Sequence, residues 1–532
     1  MDTRTNYFYN YNKEYYFTLK KNYTLKLLLS GTMLSGTMVC AQNHERPNII
    51  YVLADQLRAD ALGYTGNNKA ITPNIDKFSN QSVNFSNAIA VTPVSAAYRA
   101  SLFTGKYNSS TGMIINEINM NPNHRTWEHV LGDADYNLGY IGKMHLNDRH
   151  TRSYKKGPER MGWDGYWAAY SFNHQSFDAY YYTDSDDGSE THVDLKGQYG
   201  PEVFTGLALD YIRDASHSEK PFALFLSWNP PHDPWVKENV PLHCYDRFEN
   251  AKFELPPNFK ENPDPYMDRY PQEFFDGESS WREEFIGGGG YQETMRCYYA
   301  MVNSLDEQFG RITSLIDSLG IADNTIVIFT SDHGEMFASQ GRMYKLTFYD
   351  EACRVPFLLR YPAQNTGGES DVCINTPDIG PTLLGLAGLG KKIPEEMEGM
   401  DLSHVIYKQK GIEPDFAFMQ GMGHTYQWKD GYEWRAVRDK RYTYAVYLRD
   451  GTEAFFDRES DPFMKNNLIN DRNYSTQLNV SRKQMKNKME ELNDEFNPCT
   501  WYRDNWMYKD YSIKAGARGE FGPLPPIEPE RR

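Results

Sequence analysis

Ser95 and Arg99 stand four residues apart in Ser95-Ala96-Ala97-Tyr98-Arg99, the spacing that brings two side chains onto one face of a helix. The stretch from Ser95 to Gly105 predicts such a helix, with a serine at its head and a glycine at its end. An oxygen at Ser95 then lies in the positive field of the helix N-terminus beside a guanidinium, a setting for a nucleophile that attacks a tetrahedral anion. Taken alone, the same residues also make an ordinary serine cap and a surface arginine. Further groups able to do chemistry stand directly after apolar runs. Asp55-Gln56 follow residues 48–54, and Lys143-Met144-His145 follow Tyr140-Ile141-Gly142. His232 follows residues 222–228 through Pro230-Pro231, and Asp332-His333 follow residues 325–330. Lys143 and His145, two apart in extended chain, are expected on the same face.

These four runs read as buried strands, and their alternation with helical patterns predicts an α/β fold. In open parallel sheets the carboxyl edge is where ligands bind, and all four runs end there on polar residues. Met301, Leu305, Phe309, Ile312 and Ile316 form one face of an amphipathic helix ahead of the fourth strand. A second helix is expected from Thr376 to Leu389, before the break at Lys391-Lys392-Ile393-Pro394. Beyond about Gly399 the pattern changes. Residues 433–438 and 441–447 alternate like antiparallel strands, residues 477–496 read as a charged helix, and Gly287–Gly290 reads as a flexible loop. With 532 residues, 40% hydrophobic and 24% charged, the chain is globular rather than mostly disordered. Its net charge of -16 gives no electrostatic case for nucleic-acid binding, although a few lysines in one pocket can still favour an anionic small substrate.

Ser95-x-Ala97-x-Arg99 with the trailing Thr104-Gly105 resembles the signature of the type I sulfatases, C/S-x-P/A-x-R. The likeness continues in order along the chain. Asp55-Gln56 resembles that family's metal pair, and Gly142-Lys143-Met144-His145 its G-K-W-H element. Pro231-His232-Asp233-Pro234 resembles P-H-x-P, Thr330-Ser331-Asp332-His333-Gly334-Glu335 resembles T-S-D-H-G-E, and Lys345 precedes Thr347-Phe348-Tyr349-Asp350-Glu351. Phe456-Asp457 through Asn467-Leu468 is similar to the family's C-terminal segment. The resemblance implies an alkaline-phosphatase-like sandwich, with a large mixed, mostly parallel sheet and a smaller C-terminal α+β subdomain. It divides the chain into a leader over 1–41, a catalytic domain over 42–398 and a C-terminal subdomain over 399–532.

The resemblance also implies that Ser95 is oxidised to formylglycine, whose hydrate attacks sulfur with one hydroxyl and expels sulfate with the other. Lys143, Lys345 and Arg99 then hold the sulfate charge, His145 acts as base on the hydrate, and His232 protonates or bridges to the leaving sugar oxygen, a task Lys345 shares. A histidine suits that work because its ordinary pKa, about 6.5, lies near working pH. Asp55, Gln56, Asp332 and His333 would hold one hard cation, Ca²⁺ above all, since the set is rich in oxygen. His333 has a second option, contact with the nucleophile or sulfate. Gly157–Asp164 resembles a segment of glycan sulfatases, and the aromatic cluster after it, with Trp163, Asn173 and His174, is expected to cup a sugar, which makes a sulfated oligosaccharide or polysaccharide fragment the partner. A serine precursor implies an anaerobic sulfatase-maturating enzyme. The family pattern is broken by Ser95 for Cys, Ala97 for Pro, Gln56 for Asp and Met144 for Trp.

Lys20-Lys21, the short, mostly apolar stretch Leu25-Lys26-Leu27-Leu28-Leu29 and Val39-Cys40-Ala41 read as a secretory signal ending before Gln42, hence a periplasmic or secreted protein. No later run is long and apolar enough to span a bilayer. The six cysteines contain no CxxC pair, which argues against a disulfide scaffold or zinc cluster and leaves room for one bridge. Two other functions stay open at this point: a phosphatase or phosphodiesterase of the same superfamily using unmodified Ser95, and a non-catalytic binder of sulfated glycans.

Overall fold

The computed structural model describes residues 46–513, apart from 149, 261–265, 267–281 and 366, together with 518–520. The expected leader and Cys40 lie outside these residues. Ten strands form one sheet: β1 (Asn48–Ala54), β2 (Val83–Phe85), β3 (Asn137–Lys143), β4 (Tyr166–Tyr170), β5 (Tyr180–Asp184), β6 (Glu190–Asp194), β7 (Phe222–Ser227), β8 (Thr325–Ser331), β9 (Phe357–Arg360) and β10 (Gly368–Ser370). Their spatial order is β10-β2-β9-β8-β1-β7-β3-β4-β5-β6. The four strands read from sequence are therefore neighbours, β8-β1-β7-β3, and all run parallel. Their ends are level, with Ala54 opposite Ser331 and Leu53 and Gly142 both opposite Ser227. Antiparallel pairing is confined to β9 on one side and to β5 and β6 on the other.

The central strands are apolar along their middles because both faces are covered. Ile49, Tyr51 and Leu53 join a core with Tyr98 and Leu102 of α1 (Ser95–Thr104) and Leu383 of α4 (Thr376–Leu386). Ile50, Val52 and Ala54 face the opposite core, with Ile212 of α2 (Gly200–Ser216) and the predicted stripe Met301, Leu305, Phe309, Ile312 and Ile316 of α3 (Gly290–Ser318). The glycine run is the entry to α3: Gly289 takes φ 87° and caps it, where a side chain would be strained. On the α1 face, Tyr51, Phe225 and Tyr140 stack across three strands with ring separations of 4.9 and 5.1 Å. Trp163 closes this stack edge-on at 5.5 Å from Tyr140 and is 1% exposed. It is thus a core residue that no sugar can reach, which corrects the expectation of a substrate contact.

The C-terminal part builds a four-stranded antiparallel sheet of β11 (Ala417–Gly421), β12 (Trp434–Arg438), β13 (Tyr442–Tyr447) and β14 (Glu453–Asp457). One face packs on α5 (Ser475–Glu491) through Phe418, Val437, Tyr444 and Phe455 with Leu478 and Met485. The other face, with Met419, Ala436 and Phe456, packs on Phe348 and Tyr349, and Trp434 Nε1 donates to the carbonyl of Leu346 at 3.1 Å. The small sheet thereby braces the segment that carries Lys345. The charged helix α5 stops earlier than its charge pattern implied, because Asn493 and Phe496 beyond it take left-handed φ angles of 50° and 58°. The five described cysteines are all buried and free.

Asp494 meets Arg435 in a two-pronged ion pair at 2.5 and 2.8 Å, with neither side chain exposed. Burial pushes the Asp494 carboxyl up, but the guanidinium outweighs it and holds the group below its ordinary value. Arg435→Met is expected to cost about 3–5 kcal/mol in urea unfolding, since it strands a buried carboxylate. The pair's contribution is complete above the unfolded carboxyl pKa of about 3.9 and is lost as pH falls through the lower folded value. The difference between wild type and variant should accordingly shrink in acid.

Candidate active site

Ser95 is the first residue of α1, not its cap: Val94 holds the cap position without a side-chain bond, and the Ala96 amide donates to Asn116 Oδ1 at 3.0 Å. Freed from capping, Ser95 Oγ lies 3.1 Å from His333 Nε2 and 3.4 and 3.5 Å from the two oxygens of Asp55. Arg99, one turn on and fully buried, bonds the Lys143 carbonyl at 2.7 Å and Ser227 Oγ at 2.8 Å. It also faces Asp55 at 3.2 Å and Asp332 at 3.5 Å. Lys143 Nζ reaches Asp55 Oδ2 at 2.6 Å. Three level parallel strands and one helix thus deliver two carboxylates and two cations to one point. Burial alone would protonate Asp55, but the charges of Lys143 and Arg99 hold its pKa well below the ordinary range. Asp332, buried and beside the Asp55 charge, is pushed up to about 6.

Asp55, Asp332 and His333 bring one ligand atom each to within 4.8 Å of one another. Two facing, buried carboxylates of which one is pushed toward its protonated form fit a hard cation, which would relieve their repulsion. His333 Nδ1 donates to the Gly334 carbonyl at 2.9 Å, leaving Nε2 an acceptor toward Ser95. That nitrogen is closer to Ser95 than to Asp55 at 3.8 Å or Asp332 at 3.6 Å. Gln56, at a left-handed φ of 65°, turns its carboxamide across the site: Oε1 accepts from Lys345 Nζ at 2.6 Å and Nε2 donates to Glu335 at 2.7 Å. Lys345 also lies 3.1 Å from His232 Nε2, while His232 Nδ1 is 2.9 Å from the Asp233 carbonyl.

The four imidazoles share one state. Burial, with Lys143 near His145 and Lys345 near His232 and His333, lowers all three well below the ordinary histidine value. Burial and Lys143 bring His174 to about 4. His145 does not continue the strand as alternation implied. β3 ends at Lys143 and His145 takes φ 54°, yet its ring stays buried beside Phe172, with Nδ1 unpartnered. His174 stacks 4.2 Å from His232. Asn173 spends its carboxamide inside its own loop, on the Asp178 carbonyl at 2.8 Å and the Gln175 amide at 3.0 Å. Trp163 is in the core.

Sequence reading assigned no role to Glu335. It is fully buried, accepts from Gln56 and from the amides of Phe337 and Tyr344, and burial raises it to about 7. The only signal was its place three residues after Asp332, at the end of a motif already quoted.

The chain matches the family model "Sulfatase" over residues 47–389 and the model "N-sulphoglucosamine sulphohydrolase, C-terminal" over 339–495. It is 34% identical to the "Ulvan-active sulfatase" of Formosa agariphila, covering 91% of this chain and 90% of that one. It is 29% identical to the "Endo-4-O-sulfatase" of Bacteroides thetaiotaomicron, covering 87% and 95%. The structure of yidJ from Bacteroides fragilis superposes with a TM-score of 0.71 at 29% identity, covering 85% of this chain and 97% of that one. This chain belongs to the sulfatase family, and its sheet with the small antiparallel sheet at the C-terminal end is that family's alkaline-phosphatase-like fold.

Glu335→Gln should place an amide donor against Gln56 and turn its carboxamide over, presenting nitrogen to Lys345. Loss of such an orienting partner is expected to lower kcat/KM by about 10–100-fold, and a crystal structure of the variant would show the flipped Gln56.

Proposed function

We propose that the protein hydrolyses sulfate esters on a carbohydrate, through a formylglycine made from Ser95 and with one Ca²⁺ held by Asp55, Gln56, Asp332 and His333. The observation that carries this reading is the position of Ser95 Oγ. It stands at the head of α1, 3.1 Å from His333 Nε2 and 3.4 Å from Asp55, with Arg99 and Lys143 bonded to that same carboxylate. An unmodified serine, once sulfated, is a stable ester with no internal route to release. The formylglycine hydrate supplies two hydroxyls on one carbon, one to attack sulfur and one to drive sulfate out. The cation would add positive charge where the sulfate oxygens gather.

This chain's side chains then divide the work. Lys143, held on Asp55, and Lys345, held on Gln56 and His232, bind sulfate oxygens. Arg99 acts through Asp55 and Asp332, since its two NH groups are already bonded. His145, neutral, takes a proton from the nucleophile, while Nε2 of His333, the ring nitrogen not bonded to Gly334, is left for the cation. Lys345 donates to His232 Nε2, so this pair carries the proton toward the leaving sugar oxygen. A bound anion raises the basicity of a neighbouring imidazole. Lys345 also stands beside His232 where the donor group of His174, His232 and Asp233 would need a second metal, which favours the sulfatase reading over a two-metal phosphatase.

The substrate class rests on the sulfated-glycan enzymes among the relatives and on the rim of His174, Phe172 and Tyr180. Arg152 lies over the Tyr180 ring at 5.8 Å, a cation available to an acidic sugar. Residues 1–41 would direct export to the periplasm or beyond, ahead of a catalytic part over 42–398 and a C-terminal part over 399–532. Among the described residues no helix is long and apolar enough to cross a membrane.

Three measurements test the reading. Co-expression with an anaerobic maturase should remove two hydrogens from the Ser95 tryptic peptide and switch on desulfation of a panel of sulfated mono- and disaccharides. Full activity with an intact Ser95 peptide would overturn it. Lys345→Ala is expected to lower kcat by roughly 10²–10³, the usual cost of one lost charge-stabilising donor. Asp332→Asn should weaken Ca²⁺ binding in calorimetry and abolish turnover after chelation.

A further inference from the structure

Away from Ser95, the short helix Leu242–Asp246 lies against α3 and brings His243 and Cys244 to Glu307. His243 Nε2 is 3.0 Å from Glu307 Oε2 and 3.3 Å from Cys244 Sγ, and Sγ is 3.9 Å from Glu307 Oε2. The other carboxylate oxygen is already engaged: Arg247 holds Glu307 Oε1 at 2.7 Å and is itself held by Asn303 Oδ1 at 2.7 Å. Glu307 is therefore oriented from behind, with Oε2 left facing the nitrogen and the sulfur, as ligands of built metal sites are.

The three separations are informative. Tetrahedral Zn²⁺, with bonds of about 2.3 Å to sulfur and about 2.0–2.2 Å to nitrogen and oxygen, sets its ligand atoms roughly 3.4–3.6 Å apart. The observed separations of 3.0, 3.3 and 3.9 Å bracket that range. Sulfur and imidazole in the set select zinc-like ions and disfavour Ca²⁺ and Mg²⁺. A groove of about 510 Å³, lined by Phe177, Tyr199, Glu202, His243 and Glu307, opens at the cluster and offers room for a fourth, non-protein ligand.

We propose that His243, Cys244 and Glu307 form a second metal site that binds one Zn²⁺ and clips the short helix to α3. On binding, the Cys244 thiol loses its proton to solvent and the thiolate donates its pair to the ion, with no change of oxidation state. Imidazole enters neutral and Glu307 enters as carboxylate. The site is independent of the catalytic chemistry, so its failure would leave the sulfatase reading untouched.

Co²⁺ titration of the reduced full-length protein tests this, because the donor atoms described around Ser95 include no sulfur. A near-ultraviolet thiolate-to-cobalt charge-transfer band should grow to one equivalent and be displaced by Zn²⁺. It should persist in Asp332→Asn, vanish in Cys244→Ser, and need more than about 10-fold more metal in His243→Gln. The His243 side chain is 62% exposed, so that variant reports on binding even if loss of the buried thiol disturbs folding. Absence of the band in wild type, or a band of unchanged affinity in His243→Gln, would overturn the site.

Discussion

The buried carboxylate of Asp55 is the group on which the rest of the molecule's arrangement depends. An ion of this kind costs several kcal/mol to take out of water, and at the end of the central strand β1 the Asp55 side chain is fully buried. Lys143 and Arg99 compensate it at 2.6 and 3.2 Å, and each is placed by a different element, β3 and α1. Arg99 in turn reaches the end of β7 through Ser227 and Asp332 at the end of β8. Were the strands out of step by one residue, side chains would exchange faces and the charges would be stranded. Level strand ends and charge neutrality are thus one requirement.

Lys345 shows a second way of holding a cation. It comes from no strand, but from the connection between β8 and β9, where Phe337, Ala338, Gln340, Tyr344 and Leu346 all take left-handed φ between 41° and 70°. Such residues cost of order 1 kcal/mol or more each, so the surroundings must impose the conformation. Glu335 grips the amides of Phe337 and Tyr344 from within, and Trp434 of the small sheet grips Leu346 from outside. The small sheet, with its Arg435–Asp494 pair, is in this sense part of the active site although it supplies none of the groups around Ser95. The same lysine touches Gln56 and His232 together, so it joins the end of β1 to the segment that follows β7.

The imidazoles complete the balance. Burial and the nearby lysines keep His145, His232 and His333 neutral, so these rings add no charge to the pocket.

Much of this was legible in the chain itself. Continuous apolar runs marked β1, β7 and β8, because a strand covered on both faces needs no polar alternation. The stripe from Met301 to Ile316 marked α3, and the spacing of Ser95 and Arg99 marked α1. The motifs around Asp55, Lys143, His232, Asp332 and Lys345 named the family. What local patterns could not carry was anything settled by neighbours distant in sequence. Trp163 looked like a sugar platform because an exposed and a buried aromatic have the same local signature, and only the stack on Tyr140 put it in the core. His145 was put on the face of Lys143 by an alternation that its left-handed φ breaks. Glu335 needed Gln56, 279 residues earlier, to reveal its part. Residue types and spacings determined which chemistry this protein can do. The order of strands, and the buried charge pairing that order permits, decided which residues stand close enough to do it.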